Sequence, residues 1–163
     1  MPDPFALIWT VEQKWMDRLF LCVKKEFQNI WLPSHDEQHH MRVWQHAKNL
    51  VIDTGLKPDL SFLENLILAC FFHDIGMVVT LDEDHGKASR KICETFLLKR
   101  HTPASFSEAL EAIEHHDDKN YTRSKKPSSF LLEYLTIADD LDAFGAIGLK
   151  SGLLFPRNSL DIN

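Results

Sequence analysis

The sequence predicts an all-α bundle, and three observations carry that prediction. Apolar residues recur at three- and four-residue spacing through nearly the whole chain. No segment alternates apolar and polar residues, and no turn dipeptide stands between two strand-like runs. One segment, residues 59–72, is apolar almost all round, the pattern of a helix buried at the centre of others. A length of 163 residues fits one domain, 1–163, of five to seven helices.

The elements follow in order. Residues 9–30 put Val11, Trp15, Leu19, Phe20, Val23 and Phe27 on one stripe, and Pro33 with Ser34 breaks the pattern. A second helix spans 36–54, with Gly55 and Pro58 beyond its end. The third, 59–72, is the central helix, interrupted chiefly by Glu64 and Asn65, and Gly76 is placed to end it. A fourth helix spans 84–99 and a fifth 103–117, followed by a polar loop, 118–129. The sixth spans 130–143, after which Gly145, Gly148 and Gly152 punctuate a short tail, 150–163.

Composition removes several functional classes. With 44% hydrophobic and 26% charged residues, 6 glycines and 7 prolines, the chain is neither disordered nor of low complexity. A net charge of −6 argues against broad sequence-independent binding of nucleic acid, which needs a basic surface. Residues 1–10 carry no basic region of a secretory signal. The longest apolar run, 66–72, is too short for a membrane span and is followed at once by His73 and Asp74. Cys22, Cys70 and Cys93 are odd in number, lack CxxC spacing and sit in apolar surroundings, which predicts reduced core cysteines in a cytoplasmic protein. The unusual count is 9 histidines against 2 tyrosines, and histidine binds metals and moves protons near neutrality.

Several of these histidines and aspartates stand where water cannot easily reach. His73-Asp74 ends the apolar central helix, and a buried ionisable pair must be hydrogen-bonded or bound to a metal. On the sixth helix Leu132, Leu135, Asp139 and Asp142 share a face, so Asp139 points inward, whereas Asp140 lies with Glu133 on the outer side. On the second helix His39, Val43 and His46 form one stripe, Arg42 stands beside His39, and His40 shares a face with Trp44 and Ala47. Spacing alone does not choose a ligand among His35, His39, His40 and His46. His85 shares a stripe with Ala88, Ile92 and Phe96, and His116 follows the dry face of Ala109, Ala112 and Ile113, whereas His115 follows the wet face of Glu108 and Glu111.

Taken in order, His39, His73-Asp74 and Asp139 resemble the HD superfamily of metal-dependent phosphohydrolases, whose pattern is H…HD…D. The segment HDEQHHMRVW is similar to the HDxxHxxRVW opening of the small bacterial HD-domain hydrolases, and aligning Arg42-Val43-Trp44 selects His39 over His40. CFFHDIG resembles the family's central helix, and IADDLDAFGAIG resembles its ADRLDALGAIG, which selects Asp139. The resemblance covers about 34–149 and implies an HD-type helical bundle with His39, His73, Asp74 and Asp139 as metal ligands. Asp74 and Asp139 would then be catalytic. It also implies that His85 and His116 hold a second metal with Asp74 bridging, or donate to a substrate phosphate.

Three departures stand out: no carboxylate lies in residues 76–80, Asp140 replaces the usual Arg, and the chain ends at Asn163 where relatives continue with further helices. The last implies that part of the substrate wall is missing or supplied by another chain. Two imidazoles and two carboxylates suit Mn²⁺, Fe²⁺, Zn²⁺, Co²⁺ or Ni²⁺, with Mg²⁺ less suited to imidazole. Candidate phosphate-binding cations are Lys87, Arg90, Lys119 and Arg123, the last two in a loop with Lys125 and Lys126 whose usual meaning is solvated surface. Arg42 and Asp142 are supporting residues. The implied activity is hydrolysis of a small phosphorylated molecule, a nucleotide or other phosphoester, by a cytoplasmic protein without a membrane partner and compatible with a homo-oligomer. The alternatives are a non-catalytic metal- or nucleotide-binding module and a di-iron oxygenase on the same kind of fold.

Overall fold

The computed structural model describes residues 3–30, 32, 35–117 and 129–154, with side chains as far as residue 145. Among them are six α-helices and no strand: α1 (Pro4–Phe27), α2 (Glu37–Asp53), α3 (Leu60–Phe72), α4 (His85–Leu97), α5 (Ser107–His115) and α6 (Phe130–Leu154). Short 3₁₀ turns, Ile75–Val78 and Pro103–Phe106, precede α4 and α5. The fold is the all-α bundle that the apolar spacing predicts.

Each of the first three helices begins on an aspartate. Asp3, Asp36 and Asp59 accept hydrogen bonds from backbone N–H groups of the first turns of α1, α2 and α3, satisfying donors that have no partner inside a helix. Helix α1 therefore starts at Pro4, five residues before the 9–30 expectation, because Asp3-Pro4 supplies a cap and a preset first residue. Helix α2 ends at Asp53, and just past its Thr54 cap Gly55 has a φ of +67°, a left-handed conformation that glycine adopts without strain. The expected 103–117 helix is split. Its first turn is 3₁₀, and α5 begins at Ser107, where the buried Asn65 side chain of α3 accepts from Ala109 N–H at 3.0 Å. Helix α6 runs to Leu154, well beyond the expected end at 143. Its glycines weaken a helix but do not stop one unless the backbone turns left-handed, and Gly55 is the one described glycine that does.

Helix α3 is the centre, touched by all five other helices. Nine of its 13 residues are buried. Phe71 and Phe72 of α3 itself and Trp15 and Trp44 of its neighbours are fully buried, each worth roughly 1.5–3 kcal/mol of apolar burial. The polar tips of the tryptophans are paired: Trp15 Nε1 donates to Glu64 and Trp44 Nε1 to Glu12, at 3.1 and 2.9 Å. Leu60–Val78 has the length and mean hydropathy, 1.3, of a membrane span, more than the 66–72 run alone. The 3₁₀ turn after α3 extends its apolar character, and 72% of the span is buried by the other helices, as in the core helix of a bundle.

Candidate metal centre

The central helix stops at Phe72, and the residues that follow it meet the first turn of α2, the end of α5 and the interior of α6. His73 caps α3, and Asp74 follows with φ −104° and ψ 1°. Along a continuing helix the two neighbours would diverge by about 100°. Leaving the helix at this point lets both reach one spot, with His73 Nε2 3.5 Å from Asp74 Oδ2. His39 comes from the buried face of α2 and Asp139 from α6. His39 Nε2 lies 3.2 Å from His73 Nε2, 3.6 Å from Asp74 Oδ2 and 3.5 Å from Asp139 Oδ1. His73 Nε2 is also 3.5 Å from Asp139 Oδ1. The donor atoms of these four side chains all lie within 4.8 Å of one another.

A second group shares Asp74. Its Oδ1 is 2.9 Å from His116 Nε2 and 3.6 Å from His85 Nε2, and these two ring nitrogens are 3.4 Å apart. The approach of α4 to its neighbours depends on two small residues. A Cβ at Gly76 would lie 2.1 Å from the His85 carbonyl oxygen, and one at Gly86 2.4 Å from that of Glu114. Ser89 ties the same junction together, accepting from Gly76 N–H at 2.7 Å and donating to the His73 carbonyl at 2.6 Å.

The outer nitrogens decide what the inner ones are. His73 Nδ1 faces the Cys70 carbonyl at 3.0 Å, His116 Nδ1 that of Ile113 at 2.8 Å, and His85 Nδ1 that of Asp82 at 2.9 Å. His39 Nδ1 faces Asp142 Oδ2 at 2.8 Å, and Arg42 braces this carboxylate with two hydrogen bonds of 2.7 and 3.1 Å. Carbonyls and carboxylates only accept, so every Nδ1 carries the proton. In the neutral rings each Nε2 is then a bare lone pair. Two such lone pairs face each other in each group, and a positive charge held between them, a proton or a metal ion, relieves that arrangement. This donor chemistry fits a metal ion in the first group and a second ion in the other.

Charge in the cluster is tightly coupled. Burial works against ionisation of His73, but the Asp74 and Asp139 carboxylates outweigh it and hold the imidazole up at about 9. Burial likewise opposes the Asp74 carboxylate, yet His73 and hydrogen bonds from His116, His35 and His39 hold its pKa well below the ordinary carboxylate value. Asp139 and Asp142 are held low in the same way, despite burial, by His73 and by Arg42 with His39 respectively. His40 is excluded from both groups. It is fully buried, shares the Cys70 carbonyl at 3.3 Å, and burial with two neighbouring imidazoles pushes its pKa far down.

The structure thus brings together His39, His73, Asp74 and Asp139 in one group, Asp74, His85 and His116 in the other, and Arg42 with Asp142 behind His39. Asp140 is exposed. Lys87 and Arg90 are not brought in. Lys87 pairs with Asp84 at 2.7 Å on the surface, and Arg90 pairs with Glu94 and Glu114 at 3.0 and 2.6 Å. In this structure carboxylates one helical turn away, Asp84 and Glu94, hold the two side chains on the surface. Lys119, Arg123, Lys125 and Lys126 lie outside the described residues. One participant goes beyond the expected ligand set: His35 Nδ1 lies 2.9 Å from Asp74 Oδ2. Its signal was the first histidine of HDEQHHMRVW, which precedes the helix and so has no helical face to assign.

The family model described as HD domain matches residues 37–144. No curated protein and no solved structure matches the chain significantly.

Proposed function

This chain belongs to the HD-domain family, and from that premise we propose that it is a metal-dependent phosphohydrolase acting on a small phosphorylated molecule, a nucleotide or other phosphoester. The observation that carries the reading is the set of four imidazoles with Nδ1 committed to acceptors and Nε2 converging in pairs on the two oxygens of Asp74. His39, His73, Asp74 and Asp139 would hold one divalent ion, and Asp74, His85 and His116 a second. When bound, such ions lower the pKa of a water molecule and polarise a phosphoryl oxygen. The imidazole and carboxylate donors favour Mn²⁺, Fe²⁺, Zn²⁺, Co²⁺ or Ni²⁺ over Mg²⁺.

The chain's own residues supply orientation and access. Asp142 and the three backbone carbonyls fix ring tautomers, and Arg42 fixes Asp142. Asp139 and His35, with side chains 33% and 36% exposed, mark the side from which a substrate reaches the buried His39 and His73. Arg42 is engaged with the buried Asp142 carboxylate, which suits it to bracing His39 rather than to holding substrate. Free Cys22, Cys70 and Cys93 support a reducing, cytoplasmic compartment.

The test is a screen of nucleotides and phosphoesters with the protein stripped of metal and reloaded with Mn²⁺, Fe²⁺, Co²⁺, Ni²⁺ or Zn²⁺. Metal-dependent release of phosphate that is lost in Asp139→Ala supports the reading. Metal binding without turnover of any ester supports the non-catalytic module instead. The second group of two imidazoles on a shared carboxylate also favours a di-iron oxygenase as the other catalytic reading. Oxygen consumption by the iron-loaded protein, without phosphate release, would select it.

A further inference from the structure

His35 stands apart from the other histidines around Asp74. It precedes the Asp36 cap of α2, its ring sits edge-on to His39 at 5.3 Å, and it belongs to neither group of converging donors. Its Nδ1 nevertheless makes a 2.9 Å hydrogen bond to Asp74 Oδ2. We propose that His35 is a positioning residue that holds the plane of the Asp74 carboxylate, so that its two oxygens stay divided between the two groups. The proposal rests on the two-ion reading above.

The argument turns on which contacts of Asp74 survive when the clusters are filled. Rotation about the last torsion of an aspartate is soft, so the division of Oδ1 and Oδ2 between two sites needs an external restraint. Of the two close hydrogen bonds to this carboxylate, the one from His116 Nε2 to Oδ1, at 2.9 Å, involves a nitrogen that an ion would claim. His39 Nε2 and His73 Nε2, 3.6 and 3.5 Å from Oδ2, would be claimed likewise. His35 has no such second duty. Among the described residues it is the side chain that can keep donating to Oδ2 after the four converging nitrogens are committed. Without it the carboxylate is free to turn and place both oxygens on the first ion, which removes the shared ligand from the second.

The experiment is a two-step Mn²⁺ titration of metal-stripped protein by calorimetry, with electron paramagnetic resonance to detect magnetic coupling between neighbouring ions. Wild type is expected to bind two ions and show a coupled signal. His35→Ala should weaken the second ion about tenfold or more, as loss of an outer hydrogen-bond partner commonly does, leave the first within a few-fold, and lose the coupling. His35→Asn, whose side-chain N–H can take the place of Nδ1, should restore both, a recovery that a merely space-filling role would not produce. Wild type that binds fewer than two ions overturns the two-ion reading and this proposal with it. Wild type that binds two ions, with His35→Ala equal to it or weakened equally at both ions, overturns the proposal alone.

Discussion

His73 and His116 share a device that comes from the end of a helix. Each follows the last residue of its helix, where the final carbonyls have no N–H ahead of them, and each turns Nδ1 onto the carbonyl three residues back. The helix end thereby sets the tautomer and sends Nε2 outward. His39 lies inside α2, where carbonyls are already paired, so its Nδ1 is held by Asp142 of α6, with Arg42 behind. Removing the charge of that carboxylate in Asp142→Asn should weaken metal binding by about 10–100-fold, while the exposed Asp140→Asn should not. Competition against a chelator measures both, and equal affinities for the two variants would remove Asp142 from the account. The inward and outward faces of α6 were legible in the spacing of Leu132, Leu135, Asp139 and Asp142. The carbonyl acceptors were not, since a backbone group leaves no mark on residue type. His35 was visible as a candidate, but its contact with Asp74 was not, because it lies outside any periodic segment.

At the scale of elements the decisive contact is the junction of the 3₁₀ turn with α4. Gly76 reads in the sequence as a helix stop, but α3 has already ended four residues earlier. Its physical role is to let α4 come close enough to place His85 beside Asp74, a tertiary fact that no local pattern displays. Gly76→Ala would force a methyl group against the backbone of His85 and Ser89. We expect a loss of roughly 2 kcal/mol or more in denaturant unfolding, at the upper part of the range for overpacking because backbone cannot swing aside. Ser89→Ala leaves the His73 carbonyl without this donor and Gly76 N–H without this acceptor, and should cost about 1–3 kcal/mol. Both variants should bind the second ion less well than the first. Retention of wild-type stability by both would mean that the junction relaxes freely. The same limit of local reading explains α6. Its glycines suggested a tail, whereas a helix ends through backbone conformation rather than through composition alone.

Over the whole molecule, Asp74 is a point on which residues from α2, α4, α5 and α6 and the end of α3 converge, so whatever occupies the centre ties the bundle together. In the metal-free protein that role falls to a proton. His73, with an ordinary value of 6.5, is held at about 9 by Asp74 and Asp139 in spite of its burial. A raised folded value means that the native state binds more protons than the unfolded chain between 6.5 and 9. This stabilisation is therefore complete below pH 6.5 and is lost as pH rises through 9, a change on the order of 3 kcal/mol. Asp74 behaves oppositely: its depressed value gives stability above its ordinary 3.8 that is lost as pH falls from there through the lower folded value. Metal-stripped protein should thus unfold at progressively lower urea concentration from pH 6.5 to 9.5. Metal must displace the proton of His73, so the gain in stability from added Mn²⁺ should grow over the same interval. The two sets of unfolding midpoints are expected to diverge with rising pH. Parallel curves, or a stripped protein that becomes more stable toward pH 9, would show that His73 carries no proton in the metal-free fold and that the centre is held together in some other way.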